Sequence, residues 1–288
     1  MNIAFLCTGI MGLPMVRHLA KAGNAVSAWN RTISKTRPLA KDGIEVCQSA
    51  AAAAGGCERI ILMASDSAVC DALLFGKDGA AVVAAKGAVV IVCTSATPAQ
   101  AQEQAKRCAD MGLEYADAPV SGGEQGAKDG RLAVMVGASE KVFADIAPML
   151  GAFGKPVLTG PVGCGQLAKL ANQAIVGTMI AAVAEALLLA GLGGAKPAAV
   201  RDALMGGFAD SEILRGHGAR MIAGDIEPGG AAKYQLRDLQ NALAAGEEAG
   251  LRMQCTQAAA ALFGDMINAG MGEKDHSALH AFIAGRHS

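Results

Sequence analysis

The sequence predicts an α/β unit on a doubly wound, largely parallel sheet, followed by an all-α unit. Three observations carry that prediction. Short β-like runs alternate with helical patterns through the first half, the rhythm of βαβ crossovers. After Gly160 the strand candidates stop and helical periodicity runs to the end. The 288 residues are 52% hydrophobic and 18% charged, enough apolar surface for a packed core and too little charge for a disordered chain.

The elements follow in order. Residues 2–6, 25–29, 59–63, 88–93 and 113–116 are the first strand candidates, with 132–136 and 156–158 as two more. Helical segments at 11–22, 67–74, 98–111 and 140–150 separate them, and the alanine run 50–54 also reads as helix. Gly160, Pro161, Gly163 and Gly165 then punctuate the chain. A long helix is predicted over 166–192, ~40 Å at 1.5 Å per residue. Shorter helices are predicted at 197–205, 212–222, 234–248, 256–269 and 275–284. The division this suggests is 1–161 and 162–288, with the long helix between domains.

Composition excludes several classes. There are 25 Lys+Arg against 26 Asp+Glu and only ten aromatic residues, so neither a basic stripe nor stacking platforms point to nucleic acid. The 37 glycines follow no three-residue period, which excludes a collagen-like chain. Eight cysteines are scattered without a C-x-x-C pair, so a zinc ribbon is not expected and a reducing cytoplasm is. The apolar stretch 174–192 is nearly long enough to span a bilayer, but it contains Glu185, Gly177 and Thr178. It reads as a buried central helix of a soluble protein, with no membrane partner.

The first strand ends in Cys7-Thr8-Gly9-Ile10-Met11-Gly12, where a G-x-G-x-x-G turn opens a helix onto a pyrophosphate. Gly9 allows close approach of the phosphates and Gly12 close packing of the helix. The first glycine of the pattern is replaced by Cys7. The second strand ends in Asn30-Arg31-Thr32, with no acid for a ribose 2′-hydroxyl. Arg31 can instead pair with a 2′-phosphate and Thr32 can donate to it. Residues 1–161 are therefore expected to form a Rossmann-type domain that takes NADP rather than NAD.

Two further motifs lie downstream: Asp117-Ala118-Pro119-Val120-Ser121-Gly122-Gly123, and Gly163-Cys164-Gly165 leading to Lys169, Asn172 and Gln173. With Arg237-Asp238-Leu239 and the N-terminal turn, the chain resembles the β-hydroxyacid dehydrogenase family over essentially its whole length. The resemblance implies hydride transfer between nicotinamide and a small carboxylate-bearing 3-hydroxy acid or its semialdehyde, held in a cleft between the domains. It implies that Lys169 is the catalytic acid/base, its neutral form favoured by burial. It implies that Ser121, Gly122 and Gly123 grip the carboxylate. Asn172 is the expected orienting amide, and Gln173, where relatives often carry the second Asn that orients the substrate, is expected to bind substrate beside it. Met63, Ala64 and Thr94, after two strands, are expected at the nicotinamide side of the cofactor, with Ile10 and Met11 beside the turn. Arg237 replaces a lysine that reaches the cofactor in relatives.

Gly206–Ser211 and 275–279 look like the tartronate semialdehyde reductase branch, while Asn30-Arg31-Thr32 looks like glyoxylate and succinic semialdehyde reductases. An imine reductase shares the architecture but usually lacks the lysine. A non-catalytic NADP-binding relative also typically loses it. The family further implies a homodimer or homotetramer through the long helix. His276 and His280 stand at i and i+4, but no H-E-x-x-H pattern or third ligand accompanies them. They read as one face of a C-terminal helix, and no metal is expected.

Overall fold

The computed structural model describes residues 1–286. The chain divides after Lys169 into two compact units, Met1–Lys169 and the remainder from Leu170.

The first unit is ordered by strands whose side chains are buried on both faces. β1 (Asn2–Leu6) sends Ile3 and Phe5 into one apolar layer and Ala4 and Leu6 into the other. α1 (Gly12–Lys21) covers the first face with Met15, Val16 and Leu19. β2 (Ala25–Trp29) and the two-residue β3 (Glu45–Val46) extend the sheet on one side of β1. α2 (Ala50–Ala54) matches the alanine run, and the Ser49 hydroxyl accepts the Ala52 N–H as its cap. β4 (Arg59–Leu62) pairs with the other side of β1, and beyond it lies β5 (Val89–Val92), an entirely buried Val/Ile run. α3 (Ser67–Phe75) and α4 (Ala80–Val83) fill the connection between them. α5 (Pro98–Asp110) starts on a capping box in which Thr97 and Gln100 bond each other's backbone.

β6 (Glu114–Asp117) completes the parallel set, giving the order β3-β2-β1-β4-β5-β6. The chain then turns through β7 (Val120–Ser121) and α6 (Gly123–Lys128) to β8 (Leu132–Gly137), antiparallel to β6 and β7. α7 (Glu140–Leu150) leads to β9 (Gly154–Gly160), parallel to β8. Strand order reverses between β1 and β4, and such a switch point opens a ligand crevice at the carboxyl edge.

α8 (Cys164–Leu192) begins in the first unit and continues into the second. In the second unit follow α9 (Pro197–Leu204), α10 (Gly218–Ala223), α11 (Ala232–Glu248), α12 (Gln254–Met266) and α13 (Leu279–Gly285). Ile180, Ala184, Leu187, Leu239, Phe263, Met266 and Leu279 form its core. A Cβ at Gly177 would lie 2.7 Å from Gln235 Nε2 and 2.8 Å from Leu239 Cδ2, so glycine there lets α11 approach α8.

Three helical expectations are corrected. The 212–222 segment splits into a π-helical turn, Ile213–His217, and α10. The 256–269 segment ends in another π turn whose Gly270 is left-handed at φ 84°. The predicted start of the last helix is a 3-10 turn, His276–Ala278, capped by Asp275. The long helix is also less buried than expected. Ile175, Leu189 and Leu192 are exposed along it.

Candidate active site

The parallel register gathers the predicted residues of the first unit at one edge of the sheet. Leu6 lies opposite Trp29 and Leu62, Leu62 opposite Val92, and Val92 opposite Asp117. The residues that follow each strand end therefore share the carboxyl edge: the Cys7–Gly12 turn, Asn30, Met63 and Ala64, Thr94, and the loop to Ser121.

The turn after β1 is shaped for close approach. Cys7 is the one described non-glycine residue with positive φ, at 75°, in the place the motif reserves for glycine. A Cβ on Gly12 would lie 2.4 Å from the Cys7 carbonyl oxygen and 2.9 Å from Phe5 Cε1, so α1 can seat only with glycine there. A Cβ on Gly9 would meet nothing within 4 Å, and Ile10 beside it is exposed. Met11, at the entry to α1, makes no side-chain cap, and the first turn holds no acid. An uncapped helix start behind an open glycine turn suits a pyrophosphate.

The segment after β2 suits an extra phosphate. Thr36 and Thr8 share a buried hydroxyl hydrogen bond of 2.9 Å, which ties this segment to the turn. Asn30 Nδ2 donates to the Thr32 carbonyl at 3.1 Å, building the bend that carries exposed Arg31 and Thr32. Lys35 and Arg37 are exposed nearby, and no acid occurs before Asp42. On these features the residues present fit a dinucleotide carrying a ribose phosphate.

Thr94 is buried, and its hydroxyl accepts the Ala64 N–H at 2.8 Å, so these two predicted residues lock β4's end to β5's. Met63 is half-buried and packs on the first apolar layer. Across the sheet, Ser121 ends β7 and its hydroxyl has no partner among the described residues. Gly122 and Gly123 follow at φ 135° and 62°, both exposed. A side chain at Gly122 would strain the backbone and crowd Leu132.

Two residues given no role by the sequence reading seat the start of α8. Asp117 is fully buried, and its carboxylate accepts the backbone N–H groups of Gly163 at 2.8 Å and Gln166 at 2.7 Å. Burial pushes its carboxyl above the ordinary Asp range, opposed by those same N–H donors. Gln166, also fully buried, accepts the Ala96 N–H and donates to the Thr94 carbonyl, both at 2.9 Å. Gly165 permits this seat, since a Cβ there would lie 2.7 Å from Asp117 Oδ2. The sequence shows an acid at a strand's carboxyl end and a G-x-G-Q helix start, but their partners are backbone groups 46–72 residues away.

Lys169 is half-buried one turn further along α8. Asn172 and Gln173 follow at i+3 and i+4, on the same side of the helix. Asn172 Nδ2 donates to Gln173 Oε1 at 2.9 Å, and Gln173 Nε2 donates to Asp238 Oδ2 at 2.8 Å. Gln173 is thus a strut that holds the Asn172 amide. Asp238 also accepts from Arg237 Nη2 at 2.9 Å, and Arg237 lies over the Tyr234 ring. The histidines divide otherwise than expected: His276 lies in the 3-10 turn, its ring against His217, and His280 lies in α13.

A switch-point edge with an open glycine turn, joined to a seated lysine-bearing helix, is the architecture of nicotinamide-dependent dehydrogenases. Residues 2–164 match the family described as the NAD binding domain of 6-phosphogluconate dehydrogenase. Residues 163–283 match the NAD-binding family of NADP-dependent 3-hydroxyisobutyrate dehydrogenase. The chain is 37% identical to 2-hydroxy-3-oxopropionate reductase of Escherichia coli, covering 97% of this chain and 96% of that one. It is 31% identical to glyoxylate/succinic semialdehyde reductase 1 of Arabidopsis thaliana, covering 97% of both. A crystal structure of 3-hydroxyisobutyrate dehydrogenase from Salmonella typhimurium superposes with TM-score 0.89 at 27% identity, covering 97% of this chain and 99% of that one. The chain belongs to the β-hydroxyacid dehydrogenase family of oxidoreductases.

Proposed function

We propose that the chain reduces a small carboxylate-bearing semialdehyde to its 3-hydroxy acid, and the reverse, with NADP(H). The observation that carries this reading is the Asp117-seated helix that delivers Lys169 one turn beyond the sheet's carboxyl edge. When bound, the nicotinamide supplies or takes the hydride at carbon. Gly9, Ile10, Met11 and Gly12 hold its pyrophosphate, Asn30, Arg31 and Thr32 its ribose phosphate, and Met63, Ala64, Thr94 and Arg237 the remainder. Lys169 gives its proton to the developing alkoxide oxygen in reduction, and takes it back in oxidation. Ser121 Oγ and the N–H groups of Gly122 and Gly123 bind the carboxylate. Asn172 orients the carbonyl, steadied by Gln173.

The choice of NADP rests on exposed Arg31 and on the lack of an acid between Asn30 and Lys41. The substrate reading follows the relatives, which are named for 2-hydroxy-3-oxopropionate, glyoxylate and succinic semialdehyde. The exposed apolar residues of α8 support a homodimer or homotetramer, which a scattering mass of a single chain would exclude. Cysteines that are all free among the described residues support a cytoplasmic setting.

Purified protein assayed with 2-hydroxy-3-oxopropionate, glyoxylate, succinic semialdehyde and methylmalonate semialdehyde tests the reading, each with NADPH and NADH. Turnover with NADPH and the first is expected to be fastest. No turnover with any of the four would refute the substrate class.

A further inference from the structure

Within the helical unit, three ligand-type side chains converge from two distant stretches of sequence. His217 ends the π-helical turn Ile213–His217, and Asp275 and His276 stand together just before α13. The two imidazoles meet edge to face, with centroids 4.5 Å apart and planes at 84°. One ligand atom from each of His217, Asp275 and His276 lies within 4.8 Å of the others. A π-helical turn is rare and recurs at functional sites, because its extra residue redirects a side chain.

We propose that His217, Asp275 and His276 form a binding site for a divalent transition-metal ion of the zinc class, with water completing the coordination. His217 Nδ1 is buried and has no hydrogen-bond partner, a state that calls for an ion or a water. Asp275 has no exposed surface and is held in place. Its Oδ2 accepts the N–H groups of Gly229 and Gly230 at 3.0 Å and Arg220 Nη1 at 3.2 Å. Its Oδ1 accepts the Ser277 N–H at 2.9 Å and keeps acceptor capacity for a cation. Gly230 makes room for the second imidazole, since a Cβ there would lie 3.2 Å from His276 Cε1. The Arg220 cation is offset by Asp225 as well as Asp275, and it also donates to the Glu227 carbonyl.

Two imidazoles and one carboxylate suit zinc and its first-row neighbours better than magnesium or calcium, which prefer all-oxygen shells. Bound there, the ion would staple the π turn to the start of α13. From spacing, His276 and His280 read as one face of a C-terminal helix with no metal; the neighbour of His276 is instead His217, remote in the chain.

The untagged full-length protein, stripped with chelator, is to be titrated with ZnCl₂ by calorimetry and with CoCl₂ by absorption. One ion per chain is expected, with cobalt d–d bands, no thiolate charge-transfer band, and a higher Tm in zinc. His217→Gln and His276→Gln should each weaken binding by about 100-fold or more, while Cys255→Ser leaves it unchanged. Absence of saturable binding, a thiolate charge-transfer band, or undiminished binding in His217→Gln would overturn the site. Should either histidine variant fail to fold, the wild-type cobalt spectrum still decides.

Discussion

Asp117 Oδ2 accepts a 2.7 Å hydrogen bond from the backbone N–H of Gln166, one helical turn before Lys169. A carboxylate at the end of a strand thereby sets where α8 begins. The contact lives in packing, but its consequence is chemical: the position of Lys169 is fixed from below.

Asp117→Asn turns one of the two accepting oxygens into a donor that faces backbone N–H groups. Leaving such a buried group unmatched costs about 1–3 kcal/mol. The variant should melt at a lower temperature, and kcat should fall while the KM for NADPH holds, read from a thermal melt and steady-state kinetics. Wild-type stability together with wild-type kcat would show that the cap does not seat the helix.

Cys7 holds a backbone φ of 75° that costs an L-residue roughly 1–2 kcal/mol, whereas glycine adopts it freely. Part of that gain returns as the entropy a glycine loses on folding. Cys7→Gly should therefore stabilise the protein by a net of roughly 0.5–1 kcal/mol in denaturant titration, while Cys7→Val, branched at Cβ, should destabilise it. A destabilised Cys7→Gly would mean that the thiol's packing outweighs the strain.

Arg31 is the exposed cation at the bend after β2. A charge-assisted hydrogen bond to a phosphate is worth about 1.5–3 kcal/mol, so Arg31→Gln should raise the KM for NADPH roughly 10- to 100-fold. The KM for NADH should hardly move. Equal losses with both cofactors would remove the basis for assigning NADP.

Burial pushes the Cys7 thiol up to about 11 and those of Cys70, Cys93 and Cys108 up to about 12. A raised thiol pKa keeps the group protonated at pH 8, and the protonated form does not alkylate. Iodoacetamide at pH 8 should label exposed Cys255 first, mapped by mass spectrometry. These four should react only on unfolding, or faster as pH climbs towards their pKa values. Rapid labelling of Cys7 in the folded protein at pH 8 would contradict its environment.

Much of the first unit was legible because its strands are apolar runs closed by turn residues, as in 2–6 and 59–63. The two-residue strands Glu45–Val46 and Val120–Ser121 carry no period of their own and exist only by pairing with neighbours. α6 was invisible for a related reason: it is only six residues long and starts on Gly123, a glycine that interrupts helical periodicity. In the second unit, helical periodicity predicted the segments but not the π turns, which hydrophobic spacing does not encode. The glycine turn, Arg31, Lys169 and Asn172 were readable as motifs. Asp117 and Gln166 were in plain view, but their partners are backbone groups remote in sequence, so only the fold reveals their work.

In the proposed reaction Lys169 moves the proton at the substrate oxygen. Lys169→Ala, assayed for NADPH oxidation with 2-hydroxy-3-oxopropionate and for NADPH binding by fluorescence, tests it directly. Loss of the general acid should lower kcat by about 10²- to 10⁴-fold with cofactor affinity preserved. A variant that still turns over at the wild-type rate would exclude Lys169 as the general acid.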